Sequence, residues 1–115
     1  MSLGGKDYDS NLHKAIKEAV NNNNILVVCA CRNEGDADYN TRELSYPAVY
    51  NESISVGAID YTRNSAPFLN SHKEVDLVGP GVDIISTHLN NTYSVLTGTS
   101  IATPHISGAL TLIKK

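Results

Sequence analysis

The chain of 115 residues contains no tryptophan, one phenylalanine, one methionine and two cysteines. Basic residues do not cluster except at Lys114-Lys115, and the net charge is -3. Nucleic-acid and anionic-membrane binding therefore lack the electrostatic attraction that they need. The longest apolar run, Ile25 to Cys31, is too short to span a bilayer. The first residues have neither the basic head nor the apolar core of a signal peptide. These absences predict a cytoplasmic protein without a nucleic-acid or membrane partner.

The two cysteines, Cys29 and Cys31, are separated by a single residue. On a strand they would face the same side, too far apart for a disulfide of good geometry. No further cysteine or nearby histidine completes a metal-binding set. We expect two buried free thiols, as in a reducing compartment.

The length corresponds to one small domain, residues 1–115. A helix is predicted where Leu12, Ala15, Ile16, Ala19 and Val20 share a face, with Asp9 or Ser10 as its cap. The apolar run from Ile25 to Ala30 predicts a strand buried on both faces, as in a parallel sheet covered by helices. Shorter strands are predicted at Ser53 to Ala58, Val75 to Val78, Val82 to Ser86 and Tyr93 to Val95, with a turn at Gly79-Pro80-Gly81. The predicted class is α/β, with a mostly parallel sheet and flanking helices.

A second helix is predicted near the end of the sequence, where Ala102, Ile106, Ala109, Leu110 and Ile113 recur at helical spacing. Ser100 lies where that helix should begin. The unpaired N–H groups and the positive end of the helix dipole favour a developing negative charge there, so Ser100 is a candidate nucleophile. Serine is also a common helix cap, and Thr103-Pro104 could equally be a cap followed by proline at the first helical position.

Three motifs resemble the subtilisin family of serine endopeptidases, most closely the intracellular bacterial subtilisins. The string from Gly98 to Gly108, Gly-Thr-Ser-Ile-Ala-Thr-Pro-His-Ile-Ser-Gly, is similar to the serine motif of that family. Asn33-Glu34-Gly35 resembles the segment that carries the oxyanion-hole asparagine, and Ser2-Leu3-Gly4-Gly5 resembles a segment that lines the substrate cleft. Read without the family, the last two motifs are turns.

The resemblance implies roles for individual residues. Ser100 would be the nucleophile, and the Asn33 amide would donate to the oxyanion of the tetrahedral intermediate. Arg32 stands where the family usually has a small residue, commonly glycine, and its long side chain would narrow the pocket for the substrate side chain. The residues implied to bind substrate are Ser2, Leu3, Gly4, Gly5, Ala30, Arg32, Gly98 and Thr99.

The resemblance also implies a weak cation site, for calcium or sodium, formed by the backbone at Ala48 and Tyr50 together with Asp76. No cofactor is required for the chemistry. The string from Val75 to Gly81 also resembles the family, which has alanine where this chain has Gly79.

A nucleophilic serine needs an adjacent base that a third group orients. His105 lies five residues after Ser100, about 140° around a helix, and therefore faces another way. His13, His72 and His88 are interpreted as surface histidines. The Asp and His motifs of the family are absent, so the chain is expected to be the carboxyl-side portion of a catalytic domain, incomplete at both ends.

Two functional hypotheses follow from this. The chain is either part of an endopeptidase that acts on polypeptides once complemented, and is inactive alone, or it is a non-catalytic fragment. Such a fragment would associate with a partner chain or form homo-oligomers through exposed sheet edges.

Overall fold

The computed structural model describes residues 1–31, 44–66 and 75–114. The elements are α1 (Ser10–Lys17), β1 (Val27–Ala30), β2 (Ser53–Ile59), β3 (Leu77–Pro80), β4 (Ile84–His88), β5 (Thr92–Leu96) and α2 (Thr99–Ile113). A π-helical turn, Glu18–Asn22, extends α1, and a 3-10 turn, Leu89–Asn91, joins β4 to β5.

The central sheet has the order β1-β2-β3, and both pairs of strands are parallel. A separate antiparallel hairpin is formed by β4 and β5. This arrangement of a mostly parallel sheet with helices confirms the predicted α/β class. The core between the sheet and α2 contains Val28, Val56, Ala58 and Ala102.

The first strand is shorter than the apolar run that predicts it. Pairing with β2 begins only at Val27, which lies opposite Ser53. Ile25 and Leu26 remain 53% and 42% exposed, so their predicted burial is wrong. Asn24 has a φ of 54°, and this left-handed conformation turns the chain just before the strand begins.

The helix α1 begins as the sequence predicts. The Asp9 carboxylate accepts hydrogen bonds from the backbone N–H groups of Asn11 and Leu12, at 2.8 and 3.0 Å. These bonds satisfy two of the unpaired donors at the start of the helix. Ile16 is the residue of α1 that is buried.

The helix α2 packs its first turns on the sheet. Ala102 is fully buried, and Ile106 and Leu110 pack against the same core. Ala109 and Ile113 are exposed, although the spacing placed them on the core face. Helical spacing decides which residues share a face, but it cannot say how far the surface beneath that face extends.

The predicted turn at Gly79-Pro80-Gly81 is instead the end of β3, where Gly79 and Pro80 pair with Ala58 and Ile59. Proline is tolerated there because β3 has no further strand paired to it among the described residues. At Gly81 a Cβ would lie 2.7 Å from the Ala58 Cβ and 2.8 Å from the Gly98 carbonyl oxygen. Only glycine therefore allows this close approach of β3 to the start of α2.

In the part of the chain that the structure describes, no helix has the length and apolar character needed to cross a membrane.

Candidate active site around Ser100

Ser100 is the second residue of α2. The residue at the cap is Gly98, with φ 156° and ψ 161°, a conformation that is essentially restricted to glycine. Among the described residues no side chain caps the helix, so the interpretation of Ser100 as a cap is wrong. Pro104 lies inside the helix, so Thr103-Pro104 does not start it either. Within residues 1–31, 44–66 and 75–114 the Ser100 hydroxyl has no hydrogen-bond partner, and it lies at the positive end of the helix dipole.

Thr99 ties the start of α2 to the end of β1. Its hydroxyl donates to the carbonyl oxygen of Cys31, and only 1% of the residue is exposed. The hydroxyl of Thr103 in turn donates to the carbonyl oxygen of Thr99, at 2.8 Å. The side chain of Thr99 therefore anchors the helix. If Thr99 binds substrate, as the resemblance implies, it would do so through its backbone groups.

Ser2 is hydrogen-bonded to the backbone of Ser100, although 98 positions separate the two residues. Its hydroxyl donates to the backbone carbonyl oxygen of Ser100 at 2.9 Å. In a regular helix the N–H of residue 104 would bond to that carbonyl, but Pro104 has no N–H. The hydroxyl of Ser2 thus replaces the missing donor and holds the start of the chain against the start of α2.

The segment from Ser2 to Gly5 forms an exposed edge between two anchors. At one end the N–H of Ala30 donates to the carbonyl oxygen of Met1 at 3.0 Å. At the other, Gly5 and Tyr46 exchange two backbone hydrogen bonds of 2.9 Å. Between these anchors, neither Leu3 nor Gly4 has a backbone hydrogen bond to another residue that the structure describes.

The other residues implied to bind substrate have different surroundings. Ala30 is buried at the end of β1, and its N–H is used by Met1. Gly98 is buried, and its N–H donates to the carbonyl oxygen of Gly81 at 2.7 Å. Arg32 and Asn33 lie outside the described residues, so their roles stay predictions.

The described histidines do not supply a base for Ser100. His105 bonds through Nδ1 to the carbonyl oxygen of Ile101 at 2.9 Å, and His88 is exposed at the end of β4. His72 lies outside the described residues. Within 1–31, 44–66 and 75–114, no histidine is hydrogen-bonded to the hydroxyl of Ser100.

His13 is not the surface histidine that the sequence suggested. Its Nε2 lies 2.9 Å from a carboxylate oxygen of Glu52, and 18% of its side chain is exposed. The hydroxyl of Tyr8 lies 3.2 Å from Nδ1, so a neutral ring that donates from Nε2 and accepts at Nδ1 satisfies both bonds. The ring also stacks on Tyr50, with centroids 3.9 Å apart.

Tyr46 completes this group, which we call the tyrosine cluster and define as Tyr8, His13, Tyr46 and Tyr50. The three tyrosine rings have centroids between 5.3 and 5.9 Å apart. The cluster joins α1 to the turn that contains Tyr46 and Tyr50. The spacing of its residues in the sequence forms no pattern that would predict it. Sequence reasoning therefore missed it.

The implied cation site rests on few charges. A carboxylate oxygen of Asp76 already accepts the N–H of Ser55 at 2.8 Å. The carbonyl oxygen of Tyr50 accepts the N–H of Ser53 at 2.9 Å, and Ala48 is buried. No cluster of three histidine, cysteine or acidic residues occurs in the described ranges. One carboxylate with carbonyls fits weak binding of a hard cation and not a tight site.

The two cysteines are buried and form no disulfide. The Sγ of Cys31 lies 2.9 Å from the hydroxyl of Ser55. Burial raises the pKa of Cys29 and of Cys31 above the ordinary value, so both thiols stay protonated. They pack the end of β1 next to the candidate site and are not suited to be nucleophiles.

The sequence profile of the subtilase family, peptidase S8, matches residues 1–115. The chain is 56% identical over 115 residues to an intracellular serine protease of Paenibacillus polymyxa, covering all of this chain and 35% of that protein. It is 56% identical over 114 residues to the major intracellular serine protease of Bacillus subtilis, covering 99% of this chain and 35% of that protein. Subtilisin DY of Bacillus licheniformis is 41% identical over 113 residues, with 98% of this chain and 40% of that protein covered.

These matches extend over the whole described fold and over the motif around Ser100. The chain belongs to the subtilase family of serine peptidases. It spans 35% of the length of each of the two intracellular proteases that it matches.

Proposed function

We propose that this chain contributes the nucleophile side of a serine endopeptidase. The Ser100 hydroxyl attacks the carbonyl carbon of a peptide bond and passes its proton to a base. The side-chain amide of Asn33 then donates to the oxygen that becomes negative. The leaving amine takes the proton back from the base, and water hydrolyses the acyl-enzyme in the same way.

The observation that carries this proposal is the contact between Ser2 and Ser100. Through this bond to the backbone of Ser100, the exposed edge formed by Ser2 to Gly5 lies beside the residue whose hydroxyl has no hydrogen-bond partner among the described residues. An extended polypeptide can pair with the unused backbone groups of Leu3 and Gly4, as strands do at a sheet edge. Its carbonyl would then lie close to the positive end of α2.

We propose further that the isolated chain has no useful activity. The described histidines make no contact with the Ser100 hydroxyl, so a base and its orienting carboxylate have to come from elsewhere. In subtilisin, loss of the triad serine or histidine lowers kcat about a millionfold, a value measured on that enzyme. A comparable loss is expected here until a complementary segment is supplied.

An apolar groove, lined in part by Met1 next to Ser2, supports the need for such a segment. It has a volume of about 760 Å³ and lies between α1, β1 and the end of α2. Ile25, Leu26 and Leu110 contribute to its apolar lining. The partner that we propose is the remainder of a subtilase catalytic domain, with a polypeptide as the substrate of the assembled site.

The groove also favours the second candidate, a non-catalytic fragment that forms homo-oligomers. The exposed Ile113 and the outer edge of β3 are further apolar or unpaired surfaces. A protein of this kind would associate without gaining activity.

The remaining proposals follow the relatives. Two of them are named intracellular, so we propose a cytoplasmic location. The proposed reaction uses no cofactor. Calcium or sodium at Ala48, Tyr50 and Asp76 would stabilise the fold, and no chemical step passes through it.

The test is intact-mass analysis after exposure to a fluorophosphonate, with the chain alone and mixed with a separately made segment that carries the Asp and His motifs. We expect no adduct on the chain alone, and an adduct on Ser100 together with peptide hydrolysis in the mixture. Ser100→Ala should abolish both. Ser107→Ala is the matched control, since that hydroxyl bonds to Thr103 within the same helix.

The possible outcomes separate the role of Ser100 from the alternative of a non-catalytic fragment. An adduct or turnover that survives Ser100→Ala would contradict the role of Ser100. Recovery of activity would exclude the non-catalytic fragment. A stable homo-oligomer that remains inactive in the mixture would favour it.

A further inference from the structure

The tyrosine cluster lines a second concave site, open to solvent and close to the end of the exposed Ser2–Gly5 edge. Its volume is about 290 Å³. Tyr8, His13, Tyr46 and Tyr50 line it, with Asn51 at its side. Leu44 and Val49 complete the lining, so the site has the size for one amino-acid side chain and its wall combines aromatic rings with two aliphatic side chains.

The chemistry of this wall favours a cation. The faces of aromatic rings carry negative charge and attract ammonium and guanidinium groups within about 6 Å. No lysine or arginine is among the described residues that line the site. The carboxylate of Glu52, whose side chain is 16% exposed, is hydrogen-bonded to the Nε2 of His13. Its other oxygen lies 3.8 Å from the Nζ of Lys17.

The ring geometry is held in place by several bonds. Tyr50 donates its hydroxyl to the carbonyl oxygen of Asp9 at 3.0 Å and stacks on His13. His13 is fixed in turn by Glu52 and Tyr8. A site whose rings are already ordered loses little side-chain freedom on binding. Tyr8 is 57% exposed, so one of these rings remains accessible from solvent.

The position of the cluster links it to the proposed substrate path. Gly5, the last residue of the exposed edge, exchanges its two backbone hydrogen bonds with Tyr46. A Cβ built on Gly5 would meet nothing within 4 Å, so the space beside it is open. A polypeptide that lies along the edge would therefore reach the rings beyond its contact with Ser100.

We propose that the tyrosine cluster binds the guanidinium side chain of an arginine in that polypeptide. Arginine combines a flat cation, suited to stacking on a ring, with N–H donors that the hydroxyl of Tyr8 and the side-chain oxygen of Asn51 can accept. This subsite rests on the proposed function for the path of the polypeptide, but not for the chemistry of the site itself.

The test measures binding and needs no hydrolysis. Isothermal titration calorimetry compares Nα-acetyl-arginine amide with Nα-acetyl-citrulline amide, which has nearly the same shape and no charge. Tyrosine emission gives a second signal, since the chain has six tyrosines and no tryptophan. We expect the arginine compound to bind about three- to thirty-fold more tightly. Equal binding of the two compounds would overturn the proposal.

Tyr8→Leu should remove most of that preference. Tyr61→Leu is the matched control, because Tyr61 is 95% exposed and lies outside the cluster. Circular dichroism of both variants separates loss of binding from loss of fold. If Tyr8→Leu folds and keeps the preference for arginine, the cluster is not the site. If Tyr8→Leu unfolds, Tyr8→Phe, which keeps the ring and loses the accepting hydroxyl, should reduce the preference without abolishing it, and an unchanged or an abolished preference would overturn the proposal.

A longer probe distinguishes failure of the subsite from failure of the proposed function. Acetyl-Arg-Ala-Ala-Ala-amide should bind more tightly than blocked arginine if the polypeptide follows the edge from Ser2 to Gly5. Equal affinities would contradict that path and leave the arginine site standing. Tight binding of both this peptide and its citrulline counterpart would support the path and overturn the subsite.

Discussion

The hydrogen bond between Ser2 and Ser100 should depend on Pro104, and this dependence can be measured. The carbonyl oxygen of Ser100 has no helical donor because Pro104 lacks an N–H, and the Ser2 hydroxyl bonds to it instead at 2.9 Å. Ser2→Ala should therefore destabilise the chain by about 0.5–1.5 kcal/mol, the net contribution of one hydrogen bond.

Pro104→Ala supplies the missing donor. A proline inside a helix is about 3 kcal/mol less favourable than alanine, so this substitution should stabilise α2. The gain should fall below that value, at about 2 kcal/mol, because Ser2 already satisfies the carbonyl that the new N–H would bond. In the Pro104→Ala background, Ser2→Ala should cost less than half of what it costs in the original chain.

The assay is a double-mutant cycle by urea unfolding, followed by circular dichroism. We expect a coupling energy of about 0.5–1 kcal/mol between the two sites. Thr111→Val is the control, since it removes a similar side-chain bond, to the carbonyl of Ser107, one turn or more beyond Pro104. If Ser2→Ala costs the same in both backgrounds, the bond does not replace the missing helical donor, and the reasoning fails.

Three further predictions concern packing, charge and thiol chemistry. Gly81→Ala should lower the free energy of unfolding by about 1–3 kcal/mol, and with it the urea midpoint. The new Cβ would lie 2.7 Å from the Ala58 Cβ and 2.8 Å from the Gly98 carbonyl oxygen. Gly108→Ala should instead stabilise α2 by about 1 kcal/mol, because nothing lies within 4 Å of the new Cβ. Equal changes in stability from Gly81→Ala and Gly108→Ala would contradict this difference in packing. The hydrogen bond from His13 lowers the pKa of Glu52 below its ordinary 4.5. The ionised carboxylate therefore stabilises the folded chain above pH 4.5, and this contribution is lost as the pH falls through the lowered pKa. Glu52→Gln should flatten the acid limb of a plot of urea midpoint against pH. Burial raises the pKa of the Cys31 thiol, so iodoacetamide should modify it far more slowly in the folded chain than in urea.

The sequence was sufficient where local rules decide the structure. Asp9, one of the two caps predicted for α1, is the residue that caps it, since a carboxylate before an apolar helical pattern satisfies the first N–H groups wherever the helix lies. The apolar run from Ile25 to Ala30 predicted a strand of a parallel sheet, and that strand is present from Val27 to Ala30. The motif around Ser100 was recognisable because its residues are contiguous, and the family match over residues 1–115 confirms the resemblance.

The sequence could not decide which surfaces are covered. Ile25 and Ile113 have the apolar character of core residues, yet they are 53% and 77% exposed. Burial depends on what packs opposite a residue, and neither periodicity nor propensity contains that information. The same limit explains why the helical face of α2 was predicted to be longer than the face that the sheet covers.

The candidate site divides in the same way. By itself the sequence determined the α/β class, the start of α1 and the motif that contains Ser100, because each depends on neighbouring residues. Only the tertiary structure brought Ser2 to Ser100 and His13 to Glu52, pairs separated by 98 and 39 positions. Contacts over such distances arise when packed elements meet, and a single sequence carries no local signal for them.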